Sequence, residues 1–504
     1  MKNKYLFILP LFATTLCGCN FFGTTIIYPP KPYIPTHVDP ISPYQEDEGK
    51  GYKKYYEFTH NLQTVNRTHG SIPLQSLDDT YLLIVPVQFS NGPAWNESTL
   101  DIVNKGFFGT YEDTGWESVK SFYEKSSYGK LTLHGEIAPV LKMNITTTAA
   151  SKKLVDGKPA PDELVTDVFV NSSEYDSYRK KYDKDEDGFV DSVVFVYSNS
   201  IDSDKGYWAW VYWDNESPDE EVPSLNSYLW MSYNFFTGSN YCDPDIKIDC
   251  HTAIHETGHL FGLDDYYQYD EDNKFDPSGG IEMHSYNIGD ENIYSKFALG
   301  WVNPYYVKTD SSVTLTLRTS AFYGDAILIN DYWNENSMDE YLIVEYYSPL
   351  GLNERDSNSE YKGNRGSDAS RMYTTSGFRI YHIDSRIVEF VGTRKAEYHY
   401  VNEITDNANY VIASNSPSRS QYPKGDRGRN DFKYVHLLED GGVNTFKDGK
   451  VATNDTLFKQ GSSFEASNVF FVNGNKFNNG KEVGYRITVG ECTETTGKIT
   501  VTKI

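Results

Sequence analysis

Along the chain, short apolar runs rich in β-branched and aromatic residues alternate with segments of helical spacing. Tyr81 to Phe89 is apolar throughout except for Gln88, the pattern of a strand buried on both faces. In Glu117 to Tyr123, the residues Val119, Phe122 and Tyr123 share one helical face, and Gly129 supplies the stop. Leu131 to Val140 reads as a second strand, Pro161 to Tyr182 as a helix and Val190 to Tyr197 as a third strand. Two strand-like aromatic segments follow, Tyr207 to Trp213 and Tyr228 to Phe236, and then a helix around Asp249 to Leu260. This order predicts an α/β sheet with packed helices. Beyond Trp301 the pattern becomes β-rich, with runs such as Val313 to Leu317 and Tyr341 to Tyr346. A domain boundary is expected within 301–310, and the polar stretches 352–376 and 404–432 read as long surface loops. No repeat of fixed period is present.

The first residues have a different pattern. Lys2 and Lys4 precede an apolar run, Tyr5 to Leu16, that is too short to span a bilayer. It ends in Leu16-Cys17-Gly18-Cys19, which resembles a bacterial lipobox, with Cys19 as the lipidated residue. The expected organisation is a lipoprotein signal peptide at 1–18 and a tether at 19–54, in which six prolines lie between Pro29 and Pro43. A domain at 55–305 and a β-rich domain at 306–504 follow. A chain so anchored would be extracytoplasmic, on a bacterial membrane.

Charge narrows the function classes. Lys plus Arg number 46 against 71 Asp plus Glu, a formal net charge of −25. That disfavours nucleic acid as a partner, since phosphate needs basic surface. Five cysteines in 504 residues are not a disulfide framework. Cys242 and Cys250 are near enough in sequence to pair, which would leave Cys492 alone.

His255-Glu256-Thr257-Gly258-His259 is an HExxH motif. On a helix, residues i and i+4 share a face, so both imidazoles reach one metal, and the intervening Glu256 can hold a water beside it. Gly262 suits a left-handed helix stop, after which the chain can present Asp265 as third ligand. Asp264, Glu282 and His284 compete for that place. His251, one turn before His255, reads as structural. Three protein ligands with an open fourth position is the catalytic arrangement of zinc. Met283, in the segment Gly279 to Tyr286, reads as a Met turn under the zinc histidines. Tyr286 is a candidate oxyanion donor.

Asp183 to Asp191 reads D-x-D-x-D-G-x-x-D, with Gly188 at the sixth place. Carboxylates of Asp183, Asp185, Asp187 and Asp191 with the carbonyl of Phe189 would wrap a hard cation, which predicts calcium. Val194 stands where a full EF-hand has glutamate, so this is not an EF-hand.

Taken in order over roughly residues 80–470, these features resemble the immune inhibitor A family of bacterial secreted zinc metallopeptidases. The resemblance rests on Val87-Gln88-Phe89, Ser126-Ser127-Tyr128-Gly129-Lys130-Leu131, the acidic loop, His255-Glu256-x-x-His259-x-x-Gly262-x-x-Asp265, and Ser295 to Trp301. Glu340 to Glu345 and Gly377 to Asp384 are similar to its β-rich second region; His382 and Asp384 there read as structural. The resemblance implies a metzincin-like zinc protease domain, a mixed α/β sheet with helices and a Met turn, followed by a β-rich domain. It also implies zinc on His255, His259 and Asp265, Glu256 as general base, and protein or peptide substrates. The competing expectation is a calcium-stabilised surface adhesin or binding lipoprotein on a protease fold without activity.

Overall fold

A computed structural model describes residues 52–54, 62–63, 73–213, 217–237, 246–269, 274–358, 373–391, 397–401, 410–411, 414–416 and 432–504. The expected signal peptide, Cys19, Cys242 and most of the tether lie outside these. The fold is mixed α/β with several sheets.

The first sheet carries the strands Leu131–Ile137, Asp78–Phe89, Val193–Tyr197, Ser227–Ser232 and Trp210–Trp213 in that spatial order. All neighbours are parallel except the last pair, in which Trp210–Trp213 is antiparallel at the edge. Alternation along Asp78–Phe89 explains its uninterrupted apolar run. Leu82 and Ile84 join one core with Val194, Leu229 and the helix residues Phe122 and Ile254. Leu83, Val85 and Val87 join another, against Val165 and Phe169 of the helix Pro161–Val170. Both faces are covered, so neither is polar.

Several expected elements are shorter than their sequence patterns. The strand from Leu131 stops at Ile137, and the chain re-pairs with the first strand only at Leu141–Met143. Pro139 between them has no N–H to give the ladder. The segment Pro161 to Tyr182 is two helices, Pro161–Val170 and Asp176–Lys181. Asn171 ends the first by donating its amide to Asp167 O at 2.7 Å, the local bonding that competes with helix continuation. Of Tyr207 to Trp213 only Trp210–Trp213 is a strand, and Ser227–Ser232 gives way to a helical turn at Asn234–Thr237. The expected loop at 352–376 begins instead with helical turns, Gly351–Asn353 and Glu354–Asn358.

A second sheet has the order Tyr52–Lys54, Tyr305–Val307, Ala326–Ile329, Glu340–Tyr347, Gly377–Asp384, Val435–Leu438. Its first strand comes from the end of the expected tether and pairs antiparallel with Tyr305–Val307. One face, with Ile327, Leu342 and Ile380, packs on a four-stranded sheet that contains Ser312–Arg318 and Thr496–Lys503. The other face sends Leu328, Ile343, Tyr381 and Ile383 into the same core as the motif helix. That core therefore runs across the boundary expected at 305/306. No helix among the described residues is long and apolar enough to cross a membrane.

Candidate metal centre

The motif helix is His251–Leu260. Asp249 Oδ1 accepts from His251 N at 3.1 Å at its start. Its end is a Schellman stop: Leu263 N donates to Gly258 O at 3.1 Å and Gly262 N to His259 O at 2.9 Å, with Gly262 at φ 97°. The stop turns the chain back so that Asp265 faces the two histidines. Asp265 Oδ1 lies 2.9 Å from His255 Nε2 and 3.3 Å from His259 Nε2.

Hydrogen bonds fix which nitrogen each ring presents. His255 Nδ1 donates to Met283 O and His259 Nδ1 to Leu263 O, both at 2.8 Å. Each ring thus spends its Nδ1 proton on a backbone carbonyl and aims Nε2 inward, the arrangement of metal-binding histidine. Asp265 Oδ1 is buried and receives no well-aligned hydrogen bond. Three electron-rich atoms so close must share a proton or a cation. Their spacing fits the edge of about 3.3 Å expected of a tetrahedral ion with ligands at about 2.0–2.1 Å. His255, His259, Asp265 and His284 each offer a ligand atom within 4.8 Å of the others, so the cluster can hold a metal ion.

Electrostatics say the same. Burial pushes the His259 imidazolium down, but the Asp265 carboxylate outweighs it and lifts the pKa to about 10. Burial alone would raise Asp265, yet the two histidines hold it far below the usual carboxylate range. Without a metal, protons occupy the space between these rings and the carboxylate. Glu256 is buried beside them, and burial lifts its carboxyl above the ordinary range.

The segment after the helix is held by the β-rich half of the chain. Gly279, Gly280 and Glu282 all have φ between 68° and 77°, a tight turn in which Glu282 is strained. Leu437 N donates to Pro277 O at 2.9 Å, Ala452 N to Gly279 O at 2.8 Å, and Tyr266 N to His284 O at 2.8 Å. The turn places the Met283 carbonyl on His255, and the Met283 side chain is buried in the principal core.

Of the competitors for third ligand, Glu282 turns to Asn292 Nδ2 at 3.1 Å, and neither it nor Asp264 belongs to the cluster. His284 does belong. His251 is half-buried with its ring 6.1 Å from that of His255, outside the cluster. Tyr286 packs at a tilt on Tyr267 at 4.7 Å, and Tyr267 in turn stacks on His255 at 6.3 Å. Tyr267 was missed in the sequence, although it stands two residues after Asp265. Burial, then the Asp265 and Glu256 charges, push its phenol up.

In the acidic loop, Asp183, Asp185 and Asp187 offer carboxylate oxygens within 4.8 Å of one another. Asp183 accepts from Asp187 N at 3.1 Å and Gly188 N at 3.3 Å, and Asp191 from Lys184 N at 3.2 Å. Gly188 has φ 83°. Cys250 and Cys492 are free thiols. No protein-family model and no curated protein matches the chain.

Proposed function

We propose that the chain is a zinc endopeptidase of metzincin type, similar to the immune inhibitor A family, anchored outside the cytoplasm by a lipid on Cys19. The observation that carries the reading is the convergence of His255, His259 and Asp265 with both Nδ1 protons committed to backbone carbonyls. Zinc in that set would supply a Lewis acid for the scissile carbonyl and lower the pKa of a water to about 7. Glu256, one residue from His255 and not itself in the ligand cluster, takes the proton of the attacking water and passes it to the leaving amine. Its raised pKa suits a group that must carry a proton between two steps. Tyr286, packed on the Tyr267 that lies beside His255, is the phenol assigned to the developing oxyanion.

The acidic loop takes calcium on Asp183, Asp185, Asp187, Asp191 and the Phe189 carbonyl, as a brace for the strand Val193–Tyr197 behind it. Casein hydrolysis by the purified chain, abolished by a chelator and restored by zinc, tests the reading. Zinc bound without cleavage of any unfolded protein favours the binding-lipoprotein alternative.

A further inference from the structure

His284 is the fourth donor of the cluster, and the three-ligand reading leaves it without a task. We propose that His284 is a resident ligand of the metal, so that the centre is a three-histidine, one-aspartate set with solvent at a fifth position. This rests on the reading of His255, His259 and Asp265 as the metal site.

The side chain of His284 is wholly buried. Its ring centroid lies 5.0 Å from that of His255 and 5.1 Å from that of His259. Neither ring nitrogen makes a hydrogen bond, an unusual state for a buried imidazole. The motif helix makes room for it. A Cβ at Gly258 would stand 1.9 Å from His284 Nε2, so only glycine lets the ring lie between the two motif histidines. Glycine inside a helix is unfavourable, and here it admits that ring.

The other side of the ring supplies the second half of the argument. His284 Nε2 is 3.4 Å from Glu291 Oε1. Glu291 is buried, and neither of its oxygens accepts a hydrogen bond. Metal-bound histidine commonly presents its second N–H to a carboxylate. With Nε2–H toward Glu291, Nδ1 is the nitrogen left for the metal. One ion therefore satisfies His284, Asp265 and, through the imidazole, Glu291. Wholly buried and seated on Gly258, His284 is held at the metal, and zinc accommodates a fifth ligand during catalysis.

X-ray absorption on the zinc-loaded full chain counts imidazoles. Three are expected in the wild type and two in His284→Phe, whose ring fills the same space. Zinc affinity should fall at least about a hundredfold in His284→Phe, and about 10–100-fold in Glu291→Gln with three imidazoles retained. Two imidazoles in the wild type overturn the proposal, as does wild-type zinc affinity in a folded His284→Phe. Should that variant not fold, the wild-type count and Glu291→Gln decide. Two imidazoles together with zinc lost in His255→Ala would sink only the role of His284; a wild type that binds no zinc would sink the three-ligand reading as well.

Discussion

Two clusters among the described residues, one acidic and one rich in histidine, make opposite uses of their own backbone. In the acidic loop, backbone N–H groups of residues 184, 187 and 188 already bond the carboxylates of Asp191 and Asp183. That loop can keep its shape without a cation, and it lies near solvent. In the buried cluster, the backbone satisfies the wrong side of each ring for self-sufficiency. Carbonyls take the Nδ1 protons of His255 and His259 and leave Nε2 facing Asp265. Without a metal, that centre must trap protons. The acidic loop is braced by its own backbone, whereas the buried cluster needs either a cation or the protons that stand in for one.

The contrast is broken most severely at the histidines. His255→Ala or His259→Ala should lower zinc affinity by more than the roughly 10–100-fold typical of outer partners, and remove peptide cleavage; dialysis against a graded chelator measures it. Asp265→Ala should do nearly as much, while Asp264→Ala leaves zinc bound. Equal loss in both would contradict the ligand assignment.

Next in size is Gly258→Ala. The new Cβ meets His284 Nε2 at 1.9 Å and Tyr123 Oη at 2.8 Å. Overpacking of this kind costs about 1–3 kcal/mol, read as a lower denaturant midpoint. An unchanged midpoint would mean that His284 is free to move aside.

Calcium should shift stability by a similar amount. A ligand specific to the folded state adds about 2.7 kcal/mol at a hundredfold excess over Kd, so melting should rise by a few degrees. Burial lifts the Asp191 carboxyl to about 7, and the neighbouring acids add to it. The folded state then holds a proton that the unfolded chain releases near 4. Calcium-free protein should accordingly lose stability from this group as pH rises from about 4 to 7, and calcium should raise melting more at pH 8 than at pH 5. Asp185→Ala with Asp187→Ala should flatten the difference. A calcium effect that is equal at both pH values would exclude Asp191 from the site.

Much of this was legible in the chain. The strand Asp78–Phe89, the motif helix, the Gly262 stop and the approach of Asp265 follow from spacing and backbone preference alone. What escaped was set by contacts distant in sequence. Nothing in the segment Pro277 to Tyr286 tells that Leu437 and Ala452 clamp it, or that Glu282 would turn to Asn292 while His284 turned to the histidines. The boundary at 305/306 failed to divide the core for the same reason. Leu328, Ile343 and Ile383 alternate as in any two-faced sheet, and only packing reveals that one face joins the core that the motif helix also enters. The breaks at Pro139 and Asn171 carried readable signals, but the apolar runs on either side concealed them.

The central claim is that the buried cluster is a zinc site whose chemistry depends on Glu256 as a proton carrier. Glu256→Gln keeps the shape and removes the basic oxygen. Zinc content and casein hydrolysis measured on the same preparation of this variant test the claim most directly. Zinc should be retained at one per chain with hydrolysis almost wholly lost; hydrolysis at the wild-type rate with zinc bound would rule out this role of Glu256.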